Sequence, residues 1–185
     1  MIIIGALLAA GRGARFGGNK LETEFRGIML GRHAARTLSG FDPQHLIAVH
    51  DPAHAKLGKA LSDMGFKLVA NDHPTAGQGH SLALAAQAAL EADATAMLVC
   101  LADMPFVTID HLKRIIDAGG DHVVASANGT TPMPPALFPR RLFTALASLS
   151  GDNGARALLK NATVVPGDAN MLADIDTQAD LNRLS

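Results

Sequence analysis

Residues 8–20 read "LAAGRGARFGGNK", so glycines, two arginines and a lysine follow a short apolar run near the N-terminus. Glycine lets the backbone turn sharply and present N–H groups as a nest for anions. Arg12 and Arg15 can fork onto phosphate oxygens, and Lys20 supplies a point charge to a polyphosphate. Two familiar phosphate loops do not fit. A dinucleotide fingerprint needs G-x-G-x-x-G running straight into a helix, and Phe16 stands where the third glycine belongs. A Walker loop needs G-x-x-x-x-G-K-[ST], but Asn19 separates Gly18 from Lys20 and Leu21 replaces the Mg²⁺-binding hydroxyl. The other reading is a flexible turn with solvated basic residues. Its position directly after the first apolar run favours phosphate binding.

Carboxylates form the second chemical set. Asp103 follows the run "MLVCL", where it could offer oxygens at a strand end or cap the turn before Pro105. In "LADIDT", Asp174 and Asp176 alternate around Ile175, so an extended backbone turns both to one face. Asp176 competes with a role as N-cap of the last helix. Asp152 and Arg156 in "GDNGAR" are spaced to meet on a helix, where a surface pair contributes only a few tenths of a kcal/mol. Gly77, Gly79 and Ser81 lie at the mouth of a helical stretch, suited to close approach by a ligand or to an N-cap at His80 or Ser81. No Ser/His/Asp or Cys/His arrangement suggests a side-chain nucleophile. His50 and His54 are four apart, but Pro52 breaks the helix that would align them on a metal.

The balance of the chain excludes several partners. With 16 Lys+Arg against 17 Asp+Glu and a net charge of −1, no basic face is available for nucleic acid or an anionic membrane. Seven Phe with no Trp or Tyr read as core, not as a stacking platform. The lone Cys100 lies in an apolar run, which reads as a buried structural thiol and a reducing compartment. "MIIIGALLAAG" lacks a basic leader region, and no run reaches the roughly 18–20 apolar residues of a membrane helix, so a cytoplasmic location is expected.

Such groups need elements to position them. Runs rich in Ile, Val and Leu predict strands at Ile2–Leu8, Leu46–His50, Lys67–Ala70, Met97–Leu101 and His122–Ala125. Helical periodicity falls between them, at about Leu30–Leu38, Ala53–Met64, Ser81–Ala92 and Ile109–Ala118. That alternation predicts an α/β fold with a mainly parallel sheet and helices on both faces. After Ser126, "GTTPMPPALFPRR" predicts a rigid Pro-rich loop, followed by helix-like "LFTALASL" and "GDNGARALLK". Short β-like pieces at Thr163–Val165 and Leu172–Ile175 precede a helix starting near Thr177. The expectation is one domain over 1–185, with a ligand-binding part at about 1–126 completed by 127–185. In such sheets ligands bind at the carboxyl ends of the strands, where the glycine loop, "NDHPTAGQGHS" and "ADMP" all fall.

"LAAGRGARFGGNK" resembles the L-A-A-G-x-x-x-R-x-G-x-x-K signature of the MobA-like nucleotidyltransferases, most closely the MocA-type molybdenum cofactor cytidylyltransferases. The resemblance continues, in family order, through "GQGHSLALAAQAAL", "LVCLADMPFVTIDHLKRII", "PPALFPRRLFTALASLSGDNGARALL" and "DIDTQADL". It implies a three-layer Rossmann-like, GT-A-like nucleotidyltransferase fold. It also implies transfer of a nucleoside monophosphate from a triphosphate, CTP by this likeness, to a phosphorylated acceptor, with pyrophosphate released. Such chemistry rests on positioning and charge neutralisation and needs no side-chain nucleophile. By resemblance, Leu8, Ala9, Ala10, Gly11, Arg12, Gly13, Gly17 and Gly18 surround the nucleotide, while Arg15 and Lys20 act on its phosphates. Gly77, Gly79 and Ser81 face the base or ribose. Asp103 and Asp176 hold Mg²⁺, with Asp174 as the alternative, and Asp152 and Arg156 face the acceptor. The implied partners are a nucleoside triphosphate, a phosphorylated small molecule such as molybdenum cofactor, and a molybdoenzyme. Two alternatives stay open: transfer to a sugar or polyol phosphate, and a non-catalytic cofactor carrier. The chain departs from the family pattern at "NGTTPMPPALF", where an Arg-Gly-x-Pro piece usually stands.

Overall fold

Ile3–Ala9 forms strand β1, and all seven of its residues are buried. Its odd-numbered side chains enter one hydrophobic cluster and its even-numbered ones another, which is how a strand covered on both faces loses polar alternation. The computed structural model describes residues 2–11, 13, 15–41, 45–151 and 157–184. In it β1 is central to a seven-stranded sheet. On one side lie β4 (His45–His50) and then β5 (Lys67–Ala70), both parallel. On the other side β6 (Ala96–Leu101) is parallel too, followed by β8 (Thr131–Pro139), β7 (Val124–Asn128) and β9 (Thr163–Pro166). Only β8 runs against its neighbours, pairing antiparallel with β6 and β7, while β9 is parallel to β7. A two-stranded ribbon, β2 (Glu24–Phe25) with β3 (Ile28–Met29), follows the glycine loop and was not legible in the sequence.

Helices α1 (Leu30–Gly40), α2 (Ala55–Asp63) and α4 (Ile109–Asp117) bury their apolar stripes against one face of the sheet. On the opposite face lie α3 (Gln78–Glu91) and α5 (Phe143–Ala147). A last helix, α6 (Gln178–Leu184), packs Leu181 into the first cluster. No helix among the described residues is long and apolar enough to cross a membrane.

Three expectations are corrected. The Pro-rich stretch is a strand, β8, not a loop. Its register with β7 passes from Ala125↔Ala136 to Ser126↔Met133, so Pro134 and Pro135 face no partner there. Neither proline has an N–H, and at an unpaired position none is needed. Residues 172–175 form no strand; Leu172 and Ala173 bond locally to the Asp168 and Asn170 carbonyls, and the Ile175 N–H ties the segment to the Asp103 carbonyl at 3.0 Å. Helix α3 begins three residues before the predicted Ser81, with Gly77 at its N-cap (φ 88°) in place of His80 or Ser81.

Candidate active site

The glycine loop leaves β1 and folds back on itself. The Phe16 N–H donates to the Gly13 carbonyl at 2.7 Å, and the Lys20 N–H to the Gly18 carbonyl at 2.9 Å. Gly13 sits at φ +56°, and a Cβ there would lie 2.9 Å from the Lys20 Cβ, so the turn that delivers Lys20 requires glycine. Lys20 opens a single 3₁₀ turn and is 5% exposed.

A lysine this buried needs partners, and it has two. Its Nζ donates to Asp103 Oδ2 at 2.8 Å and to Asp176 Oδ1 at 2.9 Å. Arg15 Nη2 donates to the other Asp176 oxygen, Oδ2, at 2.6 Å. Burial alone would lower the Lys20 pKa, but Asp103 and then Asp176 outweigh it and raise the ammonium above its ordinary value. Lys20 is therefore charged at neutral pH.

Both carboxylates are placed by backbone. Asp103 follows the buried β6, and its carbonyl receives the Ile175 N–H. Ile175 is fully buried, which pins the segment and leaves Asp174 and Asp176 on the cavity side. The capping role that competed for Asp176 belongs to Thr177. Thr177 N–H donates to Asp180 Oδ2 at 3.0 Å, and the Asp180 N–H donates to Thr177 Oγ1 at 3.1 Å. The Thr177 hydrogen bonds, then Arg183, hold the Asp180 carboxyl down at about 2. Nor does Asp103 cap a turn, since Oδ2 accepts from Lys20 and Oδ1 is buried with no hydrogen-bond partner. Asp174 differs from its neighbours. Burial of its carboxyl, then the like charges of Asp176 and Asp103, push it above the usual carboxylate value.

Two cavities meet at these groups. The smaller, about 230 Å³, is lined by Leu8, Ala10, Gly11, Lys20, Gly77 and Ser81, with Asp103 and Gln78 at its edge. The larger, about 890 Å³, is lined by Arg15, Asp174 and Asp176 and by the apolar Met133, Ala136 and Phe138. Asp103, Gln78, Leu8 and Leu101 border both.

Several predicted residues therefore converge and others do not. Ala9 is buried in the core, so only its backbone can face a ligand. Gly13, Gly17 and Gly18 border a separate depression of about 440 Å³ beside Asp51 and His54. Gly79 has a structural role: its N–H donates to the Gly151 carbonyl at 2.9 Å, and a Cβ there would overlap that oxygen. Ser81 lines the smaller cavity while its hydroxyl accepts from Asn71 Nδ2 at 3.0 Å. Arg12, Asp152 and Arg156 lie outside the described residues. Sequence reasoning missed Gln78, although it sits inside the quoted "GQGHS", and the cavity wall from β8, whose prolines hid the strand. Burial pushes the Cys100 thiol up to about 12, which makes it an inert core group.

Among the described residues no three His, Cys, Asp or Glu side chains converge as a metal cage. Asp103 and Asp176, joined through one ammonium and with Asp103 Oδ1 unsatisfied, are a smaller donor set. Two carboxylates suit a hard divalent cation that completes its shell with substrate oxygens and water.

The MobA-like NTP transferase domain model matches residues 5–166. The purine catabolism protein PucB of Bacillus subtilis (strain 168) is 30% identical over 188 residues, covering 95% of this chain and 92% of that protein. The crystal structure of Rv0371c from Mycobacterium tuberculosis H37Rv superposes with a TM-score of 0.85 at 27% identity, over 98% of this chain and 96% of that one. A manganese complex of Rv0371C superposes with a TM-score of 0.81 at 26% identity, over 100% and 98% of the two chains. A nucleotidyl transferase from Methanothermobacter thermautotroptrophicus shares the fold, with a TM-score of 0.84 at 22% identity over 99% and 95%. The family match spans the glycine loop, Lys20 and Asp103, and this chain belongs to the MobA-like NTP transferase domain family.

Proposed function

We propose that the protein is a Mg²⁺-dependent nucleotidyltransferase that uses CTP and a phosphorylated acceptor, molybdenum cofactor, and releases pyrophosphate. The observation that carries this reading is the convergence of Lys20, Asp103 and Asp176 where the two cavities meet. The smaller cavity takes the nucleotide, and the choice of CTP follows the likeness to the cytidylyltransferases. The larger takes the acceptor, with its phosphate at the Asp103–Asp176 end.

An oxygen of the acceptor phosphate attacks the α-phosphorus of the triphosphate. A new P–O bond forms, the bond to the β-phosphate bridging oxygen breaks, and pyrophosphate leaves with the electron pair. Lys20 and Arg15 bring two positive charges to this junction, where the leaving group gathers negative charge. The Gly11 backbone adds an approach free of side chain. Mg²⁺ held by Asp103 and Asp176 would supply further charge withdrawal from the phosphates. That Rv0371C forms a complex with manganese supports the use of a divalent cation. Residues from about 1–126 serve the donor, and residues from 127–185 complete the acceptor side and supply Asp176.

Thermal-shift titration with CTP, GTP and ATP, each with Mg²⁺, tests the donor side. At about one hundred times Kd, CTP should raise Tm by about 5–10 °C, and Lys20→Ala should abolish the shift. A larger shift with GTP or ATP would overturn the base assignment. Stabilisation by molybdenum cofactor but by no nucleotide would favour the carrier reading.

A further inference from the structure

Behind the acceptor wall runs a buried polar chain that the proposed transfer does not use. His111 is 1% exposed and Ser126 is fully buried. His111 Nε2 lies 2.8 Å from Ser126 Oγ, and that hydroxyl donates to the Pro135 carbonyl at 2.9 Å. A serine hydroxyl has one proton, so Ser126 Oγ must accept from His111 Nε2–H. This leaves Nδ1 as the unprotonated ring nitrogen, and it is buried without a partner. The chain therefore has one direction, from imidazole through hydroxyl to carbonyl.

Its end point is the irregular part of the wall. Pro134 and Pro135 are the residues of β8 that face no partner on β7. The ladder supplies nothing to them, and Ser126 is the side chain that bonds there instead. Met133 and Pro134, immediately before that carbonyl, line the larger cavity. His111 approaches from α4, on the opposite face. Thr108 fixes its position by accepting the His111 N–H at 3.3 Å. The connection from Asp103 to α4 is five residues, 104–108, so one segment delivers both the carboxylate and the brace.

We infer that His111, acting through Ser126, is a positioning residue that fixes the shape of the Met133–Pro134 wall and so sets how tightly the acceptor is held. The inference rests on reading the larger cavity as the acceptor's. A buried donor chain has no water to replace a lost member, so its deletion leaves the Pro135 carbonyl unsatisfied or the bulge free to move.

The test compares His111→Leu and Ser126→Ala with His111→Gln, which keeps an N–H donor of similar reach. Hydrogen exchange followed by mass spectrometry should show amides of residues 124–136 exchanging at least tenfold faster in the first two variants. Those of β1 and β4 should be unchanged. With molybdenum cofactor as acceptor, KM for it should rise about tenfold while kcat and the Kd for CTP with Mg²⁺ stay within about twofold. Gln should restore both readouts. Unchanged exchange in residues 124–136, or a uniform rise that includes β1 and β4, would overturn the brace. A loosened wall with an unchanged acceptor KM would overturn its role in positioning. Should the wild-type protein transfer nothing to molybdenum cofactor, the acceptor reading falls, and the exchange data by themselves still uphold or overturn the brace.

Discussion

Lys20 occupies the space between two carboxylates that a divalent cation would also seek, and almost none of it meets water. Ammonium and metal therefore compete for the same oxygens until a triphosphate offers the lysine another set of partners. Lys20→Met keeps the stem and removes the charge. It should lower nucleotidyl transfer by about 10²-fold or more, as loss of a preorganised charge donor does. The same variant should bind free Mn²⁺ about tenfold more tightly without nucleotide, as titrated by electron paramagnetic resonance. Unchanged Mn²⁺ affinity would show that the lysine does not guard the pair. Asp174 gives a second prediction. Its folded-state carboxyl holds a proton more tightly than the unfolded chain does, so folding stability falls as pH rises from the ordinary carboxylate value through the raised one. Asp174→Asn should remove that decline and stabilise the protein at pH 7, by no more than about 1 kcal/mol because the carboxyl is only partly buried and water screens it. Urea unfolding at pH 4 and pH 7 measures it, and equal destabilisation at both would contradict it. At this scale the loop lysine and arginine and the acid of "ADMP" stood out because charged groups directly after a buried strand have few structural uses, and those of "DIDT" because they flank a single apolar residue. What the sequence left open was which residue caps the last helix, since Asp176 and Thr177 are both good caps. The structure assigns that to Thr177 through its reciprocal bonds with Asp180.

Elements position these residues by close backbone approach. Gly79, expected to face a ligand, instead brings α3 against the Gly151 carbonyl. Gly79→Ala should therefore cost about 1–3 kcal/mol of stability, the usual penalty of overpacking, and lower the urea midpoint without changing the m-value. A neutral substitution would mean that the chain around Gly151 yields freely. The parallel strands could be read from apolar runs because both faces are covered. β8 could not, because four prolines argue against a strand unless the register already leaves two of them unpaired. That information lies in the pairing with β7 and not in local composition. Residues 172–175 failed in the opposite way: apolar enough for a strand, they bond locally to Asp168 and Asn170 and once to the Asp103 carbonyl, and make no ladder.

Across the molecule, the five central and edge strands from β5 to β8 converge on one rim, where two cavities share Asp103 and Gln78. The glycine loop was legible from "LAAGRGARFGGNK" because its motif is local. The larger cavity was not, because its wall is assembled from β8, α3 and the segment 157–160, which are far apart in the chain. At "NGTTPMPPALF", where the usual arginine is absent, Met133, Pro134 and Ala136 give the larger cavity an apolar wall. The most direct test is pyrophosphate release by the purified protein given CTP, Mg²⁺ and molybdenum cofactor. Release that requires all three, and that falls by about 10²-fold in Asp103→Ala, is the expected result. Tight binding of the cofactor with no pyrophosphate from any nucleoside triphosphate would contradict the account.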